Sequence, residues 1–174
     1  MEAVDRLWKE LLRINPESPA RAVEDVVRQC LGLSLPWTSR LSGVAAALFQ
    51  AGGPDTGVSV YGVVRPGSDL VLVAGAGMPG PLAVPWGAPI AGLAAQELSA
   101  QFAGDARAFS DYMGGWLGVA ACLAVPIVRE RRAYAVLEMR SHQSDRIGLI
   151  EAELAYAVGA LAAAAWPGMA TQDN

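Results

Sequence analysis

The sequence predicts an α+β fold, built on a central antiparallel sheet of about five or six strands. Three observations predict it. The stretch Gly118–Ser141, GVAACLAVPIVRERRAYAVLEMRS, is apolar on both faces of an extended chain up to Val128, then carries the charged tip Arg129-Glu130-Arg131-Arg132 and returns as an apolar run ending in Glu138 and Arg140. This is the pattern of a hairpin whose first strand lies inside a sheet and whose tip lies in water. A period-two segment, Val58 to Val64, followed by the turn Arg65-Pro66-Gly67-Ser68 and the run Leu70 to Ala74, marks a second hairpin. Helix-period stripes stand before and after these hairpins.

Taken in order, Val4, Leu7, Trp8, Leu11 and Leu12 form an amphipathic stripe closed by Asn15-Pro16. Ser18 is an N-cap candidate with Pro19 at the first helical position, and Val23, Val26, Val27, Cys30 and Leu31 make a second stripe stopped by Gly32. A third stripe, Leu41, Val44, Ala45, Leu48 and Phe49, ends at Gly52-Gly53-Pro54. After the first hairpin comes a Gly/Pro-rich stretch from Gly75 to Pro89, with Leu82 to Val84 as a short strand, and GAPIAGLAAQEL then opens a short helix. The segment QFAGDARAFSDYMGGW, Gln101 to Trp116, has aromatics without a period and reads as a wall over the sheet. Within the long hairpin Pro126 lacks a ladder donor and is expected near the strand's outer end. Ser144 is the N-cap candidate for a final helix with Ile147, Ile150, Leu154, Ala157, Val158, Leu161 and Ala165 on one face, ended by Trp166-Pro167.

Composition narrows the function classes. A chain of 174 residues with 53% hydrophobic and 17% charged residues buries a large core and is poor material for disorder. The net charge is -4 and no basic stripe exists outside the hairpin tip, so nucleic acid is not an expected partner. Cys30 and Cys122 have neither pairing nor metal-type spacing, and no zinc or iron ligand set is visible; inert thiols in a reducing cytosol are expected. The N-terminus MEAVDRLWKE lacks a signal-peptide layout. Residues 112–128 carry no charge, yet the stretch is short, interrupted by glycine and contains Pro126, so a membrane span is not expected.

From Thr38 to Trp166 the order of elements and several motifs resemble the GAF domain family. TGVSVYGVV looks like the family's first strand, VPWGAPIAGLAAQ like its G-x-x-I-A-G loop entering a helix, and ACLAVPIV with AYAVLEMRS like its R-S-x-L-x-V-P-I and G-V-L-E-L hairpin. The resemblance implies helices 38–52 and 145–166 on one face of the sheet and ligand loops on the other. Residues 36–166 would be the GAF-like domain, 1–35 an N-terminal helical extension and 167–174 a loose tail. Three branches of the family fit less well. No cysteine lies between Ala76 and Val119 to hold a bilin, the N-K-F-D-E signature of cyclic-nucleotide binders is absent, and free methionine sulfoxide reductases exchange at least two pocket cysteines, where this chain has Cys122 alone on a central strand.

The candidate ligand-binding constellation is Trp86, Phe102, Asp105, Phe109, Asp111, Tyr112 and Trp116, with Arg107 between them. The resemblance places this region as a roof over the ligand pocket, and aromatic walls with a few polar groups suit a small-molecule site. A roof collapsed onto the sheet, with the aromatics as filler, explains the same residues. His142 is the only histidine and reads as a solvated loop residue. No activated nucleophile or base is evident and no cofactor is implied. The expected protein is therefore a non-catalytic, cytoplasmic sensory or regulatory domain that binds an unidentified small molecule. It would act as a homodimer through helices 38–52 and 145–166, or on a separate output protein. The alternatives are a dimerisation scaffold without a ligand and a free methionine sulfoxide reductase-like enzyme.

Overall fold

The computed structural model describes residues 19–106, 118–144 and 146–166. Two helices come first, α1 (Pro19–Gly32) and α2 (Trp37–Gly52), then strands β1 (Thr56–Gly62), β2 (Leu70–Gly77) and β3 (Ala83–Val84). Helix α3 (Ala91–Glu97), strand β4 (Gln101–Ala103), the hairpin β5 (Ala121–Arg129) and β6 (Arg132–Ser141), and helix α4 (Leu149–Ala165) complete the order. The strands form one antiparallel sheet in the order β3-β2-β1-β6-β5-β4. The two hairpins thus meet through β1 and β6 at the centre, giving the expected α+β architecture.

Alternation along the central strands separates two cores. Val58, Val60, Leu123, Val125, Leu137 and Met139 face α1, α2 and α4, whereas Tyr61, Cys122, Ala124 and Val136 face the segments around β3 and α3. β5 is buried on both faces, as its unbroken apolar run requires. The expected stripe of α1 is buried throughout, from Val23 to Leu31, and α1 lies against both α2 and α4. Its side chains share one core with the sheet. At the far end of α4, Trp166 stacks edge-on to Trp37 at 5.0 Å and tilts over Tyr134 at 6.0 Å.

Local differences from the sequence reading have physical reasons. The last helix starts at Leu149 rather than after Ser144, because Glu151 Oε2 accepts from the Gly148 N–H at 3.0 Å and Arg146 Nη2 donates to the Gly52 carbonyl at 2.6 Å, tying the entry to the end of α2. Pro126 stands inside β5, opposite Val136, and not near its outer end. β4 pairs only with Cys122 to Ala124, so at Pro126 no strand borders β5 on that side among the described residues, and a missing N–H is tolerated. Strand β4 itself falls where the sequence suggested irregular chain. The hairpin tip has Glu130 at φ 53° and Arg131 at φ 60°, the left-handed pair that matches the twist of a two-residue turn. From Ala121 onward the uncharged stretch 112–128 is strand, and no helix among the described residues is long and apolar enough to cross a membrane.

Leu123 is 2% exposed at the centre of the helix-side core, while Arg131 is exposed at the tip. Leu123→Ala is expected to lose about 2 to 5 kcal/mol of stability, and Arg131→Ala no more than about 0.5 kcal/mol. Urea denaturation midpoints check this; coincident midpoints would contradict the burial of β5.

Candidate functional site

The face of the sheet turned away from α1, α2 and α4 carries a buried polar cluster at its centre. Alternation puts Ser59 and Tyr61 of β1 and Glu138 and Arg140 of β6 on this face, and Cys122 of β5 joins them from the other side. The register places Ser59 opposite Glu138, and Cys122 and Gly57 on either side of Arg140. Glu138, Arg140, Tyr61 and Cys122 all have 0% exposure.

The segment after β2 closes the cluster. Arg140 Nη2 donates to Ser59 Oγ at 2.7 Å and to the Met78 carbonyl at 2.9 Å. Two glycines let this segment come so close: a Cβ at Gly57 would strike Met78, and one at Gly80 would strike Arg140 Nη1, Tyr61 Oη and Ser59 Oγ. Arg140 Nη1 lies 3.8 Å from Glu138 Oε2, and the Cys122 thiol donates to Glu138 Oε1 at 3.5 Å. Glu138 Oε2 receives no hydrogen bond.

Burial sets the protonation of these groups. It pushes the Glu138 carboxyl from 4.5 up to about 7, against the pull of the Arg140 charge. It also raises the Tyr61 phenol and the Cys122 thiol, with the nearby Glu138 charge acting in the same direction on both. At neutral pH the cluster holds one fixed cation, one carboxyl poised between its two forms, and two neutral groups that can donate a hydrogen bond. Such a set can orient a polar ligand, and Glu138 can give or take a proton there. No group of three or more His, Cys, Asp or Glu among the described residues is placed to hold a metal ion.

The sequence-derived constellation is scattered by comparison. Trp86 is half-buried and packs on the apolar rim around Tyr61, Leu70 and Ile90, on the same face as the cluster. Phe102 pairs with Leu123, so it points to the helix side of the sheet, and it is 58% exposed. Asp105 is exposed. Phe109, Asp111, Tyr112 and Trp116, with Arg107, lie outside the described residues. His142 is exposed, its Nδ1 2.8 Å from the Gly118 carbonyl oxygen. The sequence reading missed Glu138 and Arg140 as site residues. A signal was present: a Glu-x-Arg pair at strand period in the same hairpin as a strand apolar on both faces puts two charges on one face of a central strand, where neither is cheaply buried.

Because the folded-state value of Glu138 lies above its ordinary value, the fold favours the protonated form. The associated stability is complete below about pH 4.5 and is lost as the pH rises through about 7, a change on the order of 3 kcal/mol. Glu138→Gln should flatten that part of the profile. Melting temperatures of the two proteins at about pH 5 and about pH 8 check it; equal pH slopes would contradict a buried titrating Glu138.

Three solved structures place this geometry among known folds. The chain superposes on the free methionine-R-sulfoxide reductase of Neisseria meningitidis in complex with its substrate at a TM-score of 0.76, with 21% identity over 84% of this chain and 87% of that one. The substrate complex of the Staphylococcus aureus reductase gives 0.74 and 18% identity over 85% and 95%. The GAF domain of the Acinetobacter phosphoenolpyruvate-protein phosphotransferase gives 0.72 and 15% over 82% and 89%. No protein-family model and no curated protein matches the sequence. The expectation that the protein is not an enzyme is corrected by these neighbours, since enzymes stand among them beside GAF domains. That expectation rested on the lack of an evident activated nucleophile or base, and for the reductase branch on the lack of a second pocket thiol; the latter speaks to one recycling route and not to catalysis in general. A six-stranded antiparallel sheet with three helices on one face and a short helix and loops on the other is the GAF fold, and this chain has it.

Proposed function

We propose that the protein binds a small polar metabolite at the Ser59–Tyr61–Cys122–Glu138–Arg140 cluster. The observation that carries this reading is Glu138 Oε2, a buried carboxylate oxygen with no hydrogen-bond donor, facing the guanidinium of a buried arginine. Two buried charges with an unfilled acceptor cost several kcal/mol. A ligand that donates to Oε2 recovers part of that cost. Asp111, Tyr112 and Trp116, candidates from the sequence alone, are proposed to complete the site, and a partner protein to read its occupancy. The free, buried thiols suit a reducing compartment such as the cytoplasm. A thermal-shift screen of amino acids and other small polar metabolites tests the reading. A ligand that raises the melting temperature of the wild type and not of Glu138→Gln supports it, and the absence of any ligand across the screen removes it.

A second reading, reduction of free methionine-R-sulfoxide, is favoured by the substrate-bound reductases among the structural neighbours and by the Cys122 thiol beside Glu138. Cys122 faces the polar cluster and Cys30 faces the helices, so these two thiols sit on opposite sides of the sheet and cannot pair. Turnover would therefore take its second thiol from outside: methionine sulfoxide and two thiols give methionine, water and one disulfide. Cys122 would supply one sulfur and dithiothreitol the other, with Glu138 giving a proton to the departing oxygen. The expected result is methionine formation with dithiothreitol that disappears in Cys122→Ser and persists in Cys30→Ser. Formation unchanged in Cys122→Ser, or none in the wild type, would exclude it.

A further inference from the structure

Three polar atoms of the cluster converge on a single point. A Cβ placed on Gly80 would stand within 3.0 Å of Arg140 Nη1, Tyr61 Oη and Ser59 Oγ at once. Each of these atoms can give a hydrogen there. The guanidinium carries a fixed charge and only donates. Ser59 Oγ accepts from Arg140 Nη2 at 2.7 Å and keeps its own hydrogen to donate. The Tyr61 phenol is held in its protonated form by burial and by the Glu138 charge. Ser59 and Glu138 stand near it, yet neither completes a hydrogen bond with its hydroxyl. Tyr61 has 0% exposure, so bulk water does not reach that hydroxyl either.

What faces these atoms is the CH2 of Gly80, which accepts nothing. A buried hydroxyl set against a methylene is costly, whereas an oxygen in the same place is held by all three donors. The segment that brings Gly80 there, Met78 to Pro81, belongs to no strand, since β2 ends at Gly77 and β3 starts at Ala83. It can therefore move without breaking the sheet ladder. Pro79 and Pro81 flank Gly80 and have no N–H, and Gly77 leads into the segment at φ 71°. On the outer side Gly77 and Pro79 are exposed, and Leu82 just beyond is 80% exposed. The segment thus has solvent on one side and the three donors on the other.

We propose that this point is an oxyanion subsite: a carboxylate or phosphate group of the bound metabolite takes the place of Gly80 between Arg140, Tyr61 and Ser59, and the segment Met78 to Pro81 moves outward to admit it. The inference rests on the polar cluster being the binding site and adds the chemical class of its ligand. The donor set selects that class. Convergent N–H and O–H groups around a fixed cation hold a negatively charged oxygen, while an ammonium group would meet like charge there. The segment already imitates such a ligand in part, because the Met78 carbonyl accepts from Arg140 Nη2 at 2.9 Å. A group with two oxygens replaces that carbonyl at Nη2 and the Gly80 methylene at Nη1 together. The Glu138 carboxyl, 3.8 Å from Arg140 Nη1, opposes the anion only in its ionised form, which burial disfavours.

Nuclear magnetic resonance titration of the full chain with sodium acetate and, separately, with sodium phosphate tests the proposal, with sodium chloride at equal ionic strength as the blank. At least one of the two is expected to shift the Met78 and Gly80 amide signals saturably; acetate alone assigns the subsite to carboxylates, and a response to phosphate assigns it to phosphate groups as well. Tyr61→Phe, which removes a hydroxyl that makes no hydrogen bond in the structure, is expected to weaken that binding about tenfold, the order of one hydrogen bond. In Gly80→Ala the segment cannot seat, so its Met78 amide is expected to exchange with solvent at least about tenfold faster than in the wild type. Melting curves confirm that both variants fold. Signals that respond to neither anion beyond chloride overturn the subsite, and so does a saturable shift that Tyr61→Phe leaves unchanged. An unchanged Met78 exchange rate in Gly80→Ala contradicts the outward movement. If a neutral or cationic metabolite raises the melting temperature through Glu138 while both anions fail, the subsite falls and the cluster reading stands; a chain that binds none of them loses both.

Discussion

The burial of Arg140 is the constraint around which the ligand face is organised. A guanidinium at zero exposure costs several kcal/mol unless its donors are filled, and the surrounding structure is arranged to fill those of Nη2. β1 brings Ser59 from the neighbouring strand, and the chain leaving β2 turns down so that the Met78 carbonyl meets the same nitrogen. Met78 N–H in turn donates to the Thr56 carbonyl at 3.1 Å, so the turn is tied to the beginning of β1. Gly57 and Gly80 are the residues that permit this closure, one below the turn and one at its end. Arg140 also restrains Glu138. Without a cation on the same face of β6, burial would drive that carboxyl further from its ionised form.

The sequence carried the framework because the framework is written in local periods. The stripe Val23–Leu31, the alternation from Val58, and the double-faced run ending at Val128 each report burial within one element, and the structure has them where the pattern puts them. What a period cannot report is which face of a sheet is which. Phe102 was grouped with the roof, yet its pairing with Leu123 sends it to the helix side, and a shift of one residue would have sent it to the other. β4 is three residues long, too short to display a period at all. Glu138 and Arg140 were legible as residues but only weakly as a site, since charges near a strand end look solvated until both faces of the sheet are known to be covered.

The two faces of the sheet differ in how they are closed, and this bears on function. Helices close one face with side chains such as Val26, Val44 and Val158, leaving an apolar core. The short helix α3, short strands, turns and loops close the other, where backbone carbonyls such as that of Met78 are available to polar partners. Loops can supply such groups because their backbone bonds are not committed to a ladder. The two thiols follow the same division. Cys30 is a small apolar filler among the helices, while Cys122 is hydrogen-bonded to a carboxyl whose protonation is poised near neutrality.

β5 joins the ligand face to an open groove on the helix side, which runs between α4, β5 and the turn from α3 to β4. Cys122 and Ala124 point into the polar cluster, and Val125 and Pro126 form the floor of the groove, so one short strand is wall to both. Its rigidity is uneven. At Cys122 to Ala124 it is held between β6 and β4, while from Val125 onward only β6 pairs with it among the described residues, and Pro126 has no N–H to offer. A ligand that repositioned Cys122 through Glu138 would act on the clamped half of the strand, and the displacement would emerge in the half that carries the groove. Coupling of that kind requires that the strand or α4 have two arrangements which the ligand distinguishes. The close seat of Gly159 on the Val125 side chain is where such a difference would first be felt, because a helix backbone resting on a single strand side chain leaves little slack to absorb the movement.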